Sequence, residues 1–284
     1  MSIRPPFSPP DVGVLRSKIE QITNVTTVPQ VVQRVGALLD SQHTSAGEVA
    51  EEIGKDQVLA AKVLKLVNSG FCGFRKPITT MTHAMVLLGF DVVRSLVLSA
   101  SVFDLFSAKA SALGGLWQHS LGTARASTLI AERLGAPKPE EYAVAGLLHD
   151  IGKVLIAEQF PKEYAQIRSV VAERDCLQFE AEKEVLGVTH ADVGMWLLRK
   201  WSLPSKLVAP VGHHNNFHPS REFADRSAVV HLADILARAK GIGHPGDDRV
   251  PPLDPQAWRL LDLEWSDIDA ITRELDVELE DEWQ

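Results

Sequence analysis

The chain has 284 residues, 45% hydrophobic and 23% charged, with a formal net charge of −8 and a pI near 5.7. That balance suits a soluble globular protein able to bury a core in one large domain or two lobes. Its acidity excludes a generally basic nucleic-acid or anionic-membrane surface. No apolar run reaches the roughly 18 residues of a membrane span, and no signal-type apolar core follows Met1-Ser2-Ile3-Arg4, so a cytoplasmic location is expected.

Sustained apolar–polar alternation is scarce while helical spacing recurs, which predicts an all-α fold. Residues 1–14 are Pro-rich and read as a flexible arm, after which Leu15, Ile19 and Ile22 give a first helical stripe. Pro29 opens a second helix, with Val28, Val31, Val32, Val35, Leu38 and Leu39 on one face. Ser45-Ala46-Gly47-Glu48 is a capping box, and Asp56 caps the next helix, which stops at Asn68-Ser69-Gly70. Helices at about Thr80 to Leu88 and Val92 to Phe106 are separated by Gly89-Phe90-Asp91, and the small-residue stretch Ser107 to Gly115 marks a boundary between lobes.

Beyond it, helices are expected at about Leu116 to Leu134, Glu140 to Phe160, Pro161 to Arg174, Phe179 to Leu186, His190 to Trp201, Ser205 to His213 and Ser227 to Lys240. The Gly- and Pro-rich loop from Gly241 to Pro255 reads as flexible or irregular, and two further helices, near Pro255 to Leu261 and Ser266 to Glu278, precede an acidic solvated end. Cys72 and Cys176, far apart and in no Cys-x-x-Cys arrangement, read as packing thiols.

The segment Leu147-Leu148-His149-Asp150-Ile151-Gly152-Lys153 lies within an apolar stretch from Ala143 to Ala157. A carboxylate buried there without a partner costs several kcal/mol or neutralises itself, and a bound cation removes the problem. Asp234, in Val229-Val230-His231-Leu232-Ala233-Asp234-Ile235-Leu236, poses it again. With His119, His190, His213 and His214 these residues make an imidazole and carboxylate set suited to one or two divalent Mn, Fe, Zn, Co or Ni ions, and the lack of thiolates argues against a closed structural zinc site. Singly, each has a simpler reading. His119 and His190 read as hydrogen-bonded histidines, one of His213 and His214 reads as facing solvent since adjacent helix residues diverge by about 100°, and Asp150 and Asp234 read as salt-bridged, Asp150 with Lys153. His43, His83, His218, His231 and His244 take that simpler assignment.

The order His119, His149-Asp150 with Gly152-Lys153, then Asp234 resembles the H…HD…D pattern of the HD superfamily of metal-dependent phosphohydrolases. His190 and His213-His214 fall where its cyclic-dinucleotide phosphodiesterase branch, HD-GYP, has further ligands. The resemblance implies one metal on His119, His149 and Asp234, a bridging Asp150, a second metal on His190, His213 and His214, and Lys153 near a phosphate oxygen, with Asp150 and Lys153 as catalytic residues. Asn215-Asn216-Phe217-His218-Pro219 departs from the Glu and Gly-Tyr-Pro of HD-GYP, and Gly115 stands where three-metal members have Glu, so robust cyclic di-GMP hydrolysis is not expected.

A closer resemblance is to the HDOD family, the HD-related output domain of bacterial signalling. It is carried by Val28-Pro29, Val63-Leu64-Lys65-Leu66-Val67-Asn68-Ser69, Ile78 through Ala84 to Leu87-Leu88-Gly89, Trp117-Gln118-His119-Ser120, Ala145 through Lys153, Leu186 through Gly194, Trp201-Ser202-Leu203-Pro204 and His213-His214. It implies a two-lobed helical fold, with an N-terminal lobe at 15–110, an HD-type helical bundle at 111–240, and a loop with C-terminal helices at 241–284. It also implies a regulatory output role with a protein partner or a phosphorylated small ligand. A metal-dependent phosphohydrolase acting on a nucleotide or other phosphoester is the alternative. Neither a membrane nor a nucleic acid is an expected partner; residues 29–68 lack the Arg cluster a DNA-reading helix would need.

Overall fold

A computed structural model describes residues 12–13, 16–17, 30–39, 44–69, 77–107 and 113–282. The first apolar stripe at Leu15, Ile19 and Ile22, the Val28-Pro29 helix start and Cys72 lie outside them, as do the side chains of 102–107 and of the acidic end.

The fold is all-α, with no strand among the described residues. The N-terminal helices are α1 (Gln30–Leu39), α2 (Ala46–Gly54), α3 (Gln57–Asn68) and α4 (Met81–Ser107). Ser45 caps α2 in the expected reciprocal way: its Oγ accepts from Glu48 N at 3.3 Å while Glu48 Oε2 accepts from Ser45 N at 2.8 Å. Asp56 Oδ1 accepts from Leu59 N at 3.0 Å and starts α3. Asn68 ends it, donating to Leu64 O and Ile78 O and accepting from Ile78 N, which ties α3 to the chain entering α4.

α4 runs through the expected break, but Gly89 at φ 80° and ψ 168° interrupts its helical geometry where the sequence suggested two helices. Its Met81–Ser101 stretch is long and apolar enough to cross a bilayer, with mean hydropathy 1.6, although no single apolar run in the sequence is. Two thirds of that stretch is buried within the fold, where Val92, Val93, Leu96 and Val97 are core residues.

The remaining helices are α5 (Leu116–Arg133), α6 (Pro139–Leu148), α7 (Ile151–Gln159), α8 (Pro161–Arg174), α9 (Gln178–Leu186), α10 (His190–Lys200), α11 (Ser205–His213), α12 (Ala224–Ala239), α13 (Pro255–Leu261) and α14 (Trp265–Glu282). Most match the sequence expectations within a residue or two, while α12 starts three residues earlier and α14 runs further. The larger difference is that Glu140 to Phe160 is two helices. The chain leaves helical geometry at Asp150, with φ −98° and ψ 8°, and His149 N and Lys153 N bond to the carbonyls three residues back, at 3.5 Å and 3.0 Å.

One apolar cluster runs from Val35, Val49, Ile53 and Val63 through α4 to Leu147, Ile151, Val193 and Val211, and so spans both sides of the Ser107–Gly115 boundary. A second joins Ala126, Leu129 and Ile130 of α5 to Val229, Leu232 and Leu236 of α12 and to α13 and α14. The site lies where α5, α6, α7, α10 and α12 converge. Helices α7 and α10 cross closely at Gly152, where an added Cβ would lie 1.9 Å from His190 O and 2.8 Å from Gly194 N. Cys176 is a half-buried free thiol whose pKa is raised mainly by burial.

Candidate metal centre

The break between α6 and α7 lets consecutive residues face one point. His149 Nε2 lies 3.3 Å from Asp150 Oδ2, and both side chains are at most 1% exposed. On unbroken helix they would diverge by about 100°. α5 contributes His119, whose Nε2 lies 3.2 Å from His149 Nε2 and 2.9 Å from Asp234 Oδ1 on α12. On the other side of Asp150, His190 Nε2 stands 3.1 Å from Oδ1 and 3.3 Å from His214 Nε2. His119, His149, Asp150, His190, His214 and Asp234 thus form one buried cluster, none more than 1% exposed.

His213 is not part of it. It is the last residue of α11, and His214 keeps right-handed helical angles, φ −63° and ψ −31°, so the two rings diverge by about 100°. His214 turns inward, whereas His213 is half-buried and its Nδ1 lies 2.5 Å from the Arg221 guanidinium. The guanidinium donates, which leaves that ring neutral; burial first and Arg221 second lower its pKa.

Three of the rings are oriented by bonds on their far nitrogens. His149 Nδ1 donates to Gly146 O at 2.6 Å, His214 Nδ1 to Val211 O at 2.8 Å, and His190 Nδ1 to Glu182 Oε2 at 2.7 Å. In a neutral imidazole this leaves the Nε2 lone pair facing the cluster. His119 has no such brace, its Nδ1 being buried without a hydrogen-bond partner. Asp150 Oδ1 likewise has no donor.

At His149 this sets an Nε2 lone pair 3.3 Å from a carboxylate oxygen, acceptor facing acceptor. Each buried acceptor left without a donor costs about 1–3 kcal/mol, so the cluster fits a cation. Ligand atoms of His119, His149 and Asp234 lie within 4.8 Å of one another, as do those of His149, Asp150 and His214. Imidazole nitrogen with carboxylate oxygen and no thiolate is a donor set for a divalent transition metal.

Two buried cations already lean on the carboxylates. Lys153, 1% exposed, donates to Asp150 Oδ2 at 2.7 Å and to Pro245 O at 2.8 Å. The salt bridge anticipated as the simpler reading is therefore present beside the imidazole cluster. Arg238 Nε donates to Asp234 Oδ1 at 2.9 Å and Arg238 Nη1 to Asp247 Oδ1 at 2.9 Å. Burial pushes the Asp150 carboxyl up, but His149 and Lys153 outweigh it and hold it well below the usual carboxylate range. Burial acts likewise on Asp234 and is outweighed by Arg238 and His119. Burial lowers His214 well below the usual imidazole value, reinforced by His149 and His190, and lowers His119 against the pull of Asp234. Burial also opposes protonation of His190, but Glu182 and Asp150 together outweigh it and its pKa is raised.

The segment after α12, expected to be flexible or irregular, is pinned across the centre. His244 N donates to Gly115 O at 3.0 Å, and Asp247, 5% exposed, accepts from Gln178 N and Arg249 N as well as Arg238. Gly115 has φ 90°, and a Cβ there would lie 2.7 Å from His244 N, so this loop occupies the space a side chain would need. His244, His218 and His83 are exposed. His231 is a buried brace, donating from Nδ1 to His214 O and accepting at Nε2 from Asp254 N, in line with its simpler assignment. His43 lies outside the described residues.

Sequence reasoning missed Glu182, Gln178, Asn215, Arg238 and Asp247. Arg238 was recoverable from its i+4 spacing to Asp234. Asp247 and Gln178 meet only through tertiary folding, and nothing local marks them.

A family model for the HDOD domain matches residues 25–217. A crystal structure of an HDOD domain protein of unknown function from Geobacter sulfurreducens is 29% identical, covers 95% of each chain and superposes with TM-score 0.69. A protein of Shewanella amazonensis provisionally named a phosphohydrolase is 23% identical, with TM-score 0.66 over 92% of this chain and 93% of that one. One from Marinobacter aquaeolei provisionally named a signal transduction protein is 20% identical, with TM-score 0.67 over 94% of this chain and 62% of that one. The chain spans less than half the length of the curated relatives it matches, 43% and 29%.

Proposed function

The chain belongs to the HDOD family, and on that premise we propose that it is a regulatory output module of a signalling system built around an HD-type divalent metal centre. In this proposal His119, His149, Asp150 and Asp234 hold the ion, while His190 and His214 face it across Asp150. The lobe division at residues 110 and 111, and a protein partner or phosphorylated small ligand, belong to the same proposal.

The observation that carries it is the convergence of His119 and His149 Nε2 on the buried carboxylates of Asp150 and Asp234, with the His149 ring fixed by its Nδ1 bond to Gly146 O. When bound, a divalent ion supplies Lewis acidity, lowering the pKa of bound water and neutralising charge on a phosphate oxygen. The chain's own groups argue for retention of the ion rather than turnover. Lys153, expected near a phosphate oxygen, donates instead to Asp150 and Pro245 O. The loop carrying Pro245 and Asp247 crosses the centre, and every donor residue is buried. A working phosphohydrolase needs an open position facing its substrate.

The test is a panel of nucleotides, cyclic dinucleotides and simple phosphoesters, incubated with Mn²⁺- or Fe²⁺-loaded protein and with Asp150→Ala. No hydrolysis above the variant is expected. Metal-dependent turnover that Asp150→Ala abolishes would reverse the assignment in favour of the phosphohydrolase.

A further inference from the structure

The half of the centre beyond Asp150 is already served by the protein itself. Asn215 follows the inward-turned His214, and its Nδ2 lies 2.8 Å from His214 Nε2 and 2.9 Å from His190 Nε2. Both rings give their Nδ1 hydrogen elsewhere, so each presents a lone pair to that nitrogen, and an amide has the two hydrogens to meet both. Turning the amide round would set its oxygen against two acceptors. Asp150 Oδ1 is the one acceptor of this half that Asn215 leaves open, and a single oxygen does not make a metal site.

We propose that Asn215 makes this a one-metal centre. It fills the position a second ion would take between His190 and His214, and the ion sits with His119, His149, Asp150 and Asp234. Asn215 is a positioning residue that sets how many ions bind. The proposal rests on the metal-binding function above.

The experiment counts ions. The 284-residue chain reconstituted with excess Mn²⁺ and desalted is analysed for metal per chain, and electron paramagnetic resonance separates isolated from coupled Mn²⁺. The wild type is expected to hold one ion with an uncoupled spectrum. Asn215→Asp, which replaces the donor amide by an acceptor of the same shape, should hold two with a coupled spectrum. Two ions in the wild type would overturn the one-metal proposal while leaving the metal-binding function intact. An unchanged count of one in folded Asn215→Asp would overturn the role of Asn215. No ion in folded wild type would overturn both proposals.

Discussion

Asp150 shows how a residue legible in sequence takes its meaning from neighbours that are not. An apolar flank marked it as a carboxylate needing a counter-charge; the expected salt bridge with Lys153 is present on Oδ2, and an imidazole cluster suited to a cation surrounds it. What the flank could not reveal is the buried ring of support from Asp234 through Arg238 and Asp247 to Gln178, Glu182 and His190. Those contacts join α9, α10, α12 and a loop, so no local pattern encodes them. Asp247→Ala removes one partner of a buried Arg and an acceptor for Gln178 N. It should cost about 3 kcal/mol in urea unfolding and weaken metal affinity about 10–100-fold. Asp248→Ala, at a side chain 90% exposed, is the control and should change stability by less than about 0.5 kcal/mol. Equal effects of the two substitutions would show that Asp247 does not support the centre.

Among the elements, the two His-containing dipeptides explain where sequence reasoning succeeded and where it stopped. His149-Asp150 delivers both side chains because the helix breaks there, whereas His213-His214 delivers one because helical geometry continues through both residues. An unbroken apolar run from Ala143 to Ala157 gives no cue to that break, so one continuous helix was expected. The capped starts of α2 and α3 were legible because Ser45, Glu48 and Asp56 act within one turn. Gly152 works between elements, letting α7 and α10 approach so that His190 reaches Asp150. Gly152→Ala would push a methyl against His190 O. A loss of about 1–3 kcal/mol or more, with weaker metal binding, should appear in denaturant titrations of the variant with and without Mn²⁺. Wild-type stability and affinity in this variant would mean that the helix crossing is not tight.

For the whole molecule, the all-α class and the order of the helices followed from apolar periodicity, while the pinned loop across the centre did not. Glycines and prolines announce irregular backbone and say nothing of whether it is anchored. Burial of several neutral imidazoles also gives the fold a pH dependence. His119, His214 and His231 have folded pKa values below the ordinary 6.5, so below that pH the unfolded chain binds more protons and stability falls as pH drops. His190, whose value is raised, opposes this alone among the four, and Asp150 and Asp234 add their loss only below the ordinary carboxylate value of 3.8. Thermal melts of chelator-treated protein should therefore move to lower temperature from about pH 6.5 downward. A flat profile between about pH 7 and pH 5 would contradict the neutral, buried state of these rings.

Metal binding to the folded state alone raises stability by about 2.7 kcal/mol at a free-ion concentration 100 times Kd. The most direct measurement is therefore the melting temperature of the chelator-treated chain on adding Mn²⁺, Fe²⁺, Zn²⁺, Co²⁺ or Ni²⁺ in turn. A rise with at least one ion in the wild type, absent in His149→Ala, is the expected result. No rise with any of the five, or an equal rise in His149→Ala, would contradict a metal centre at His119, His149, Asp150 and Asp234.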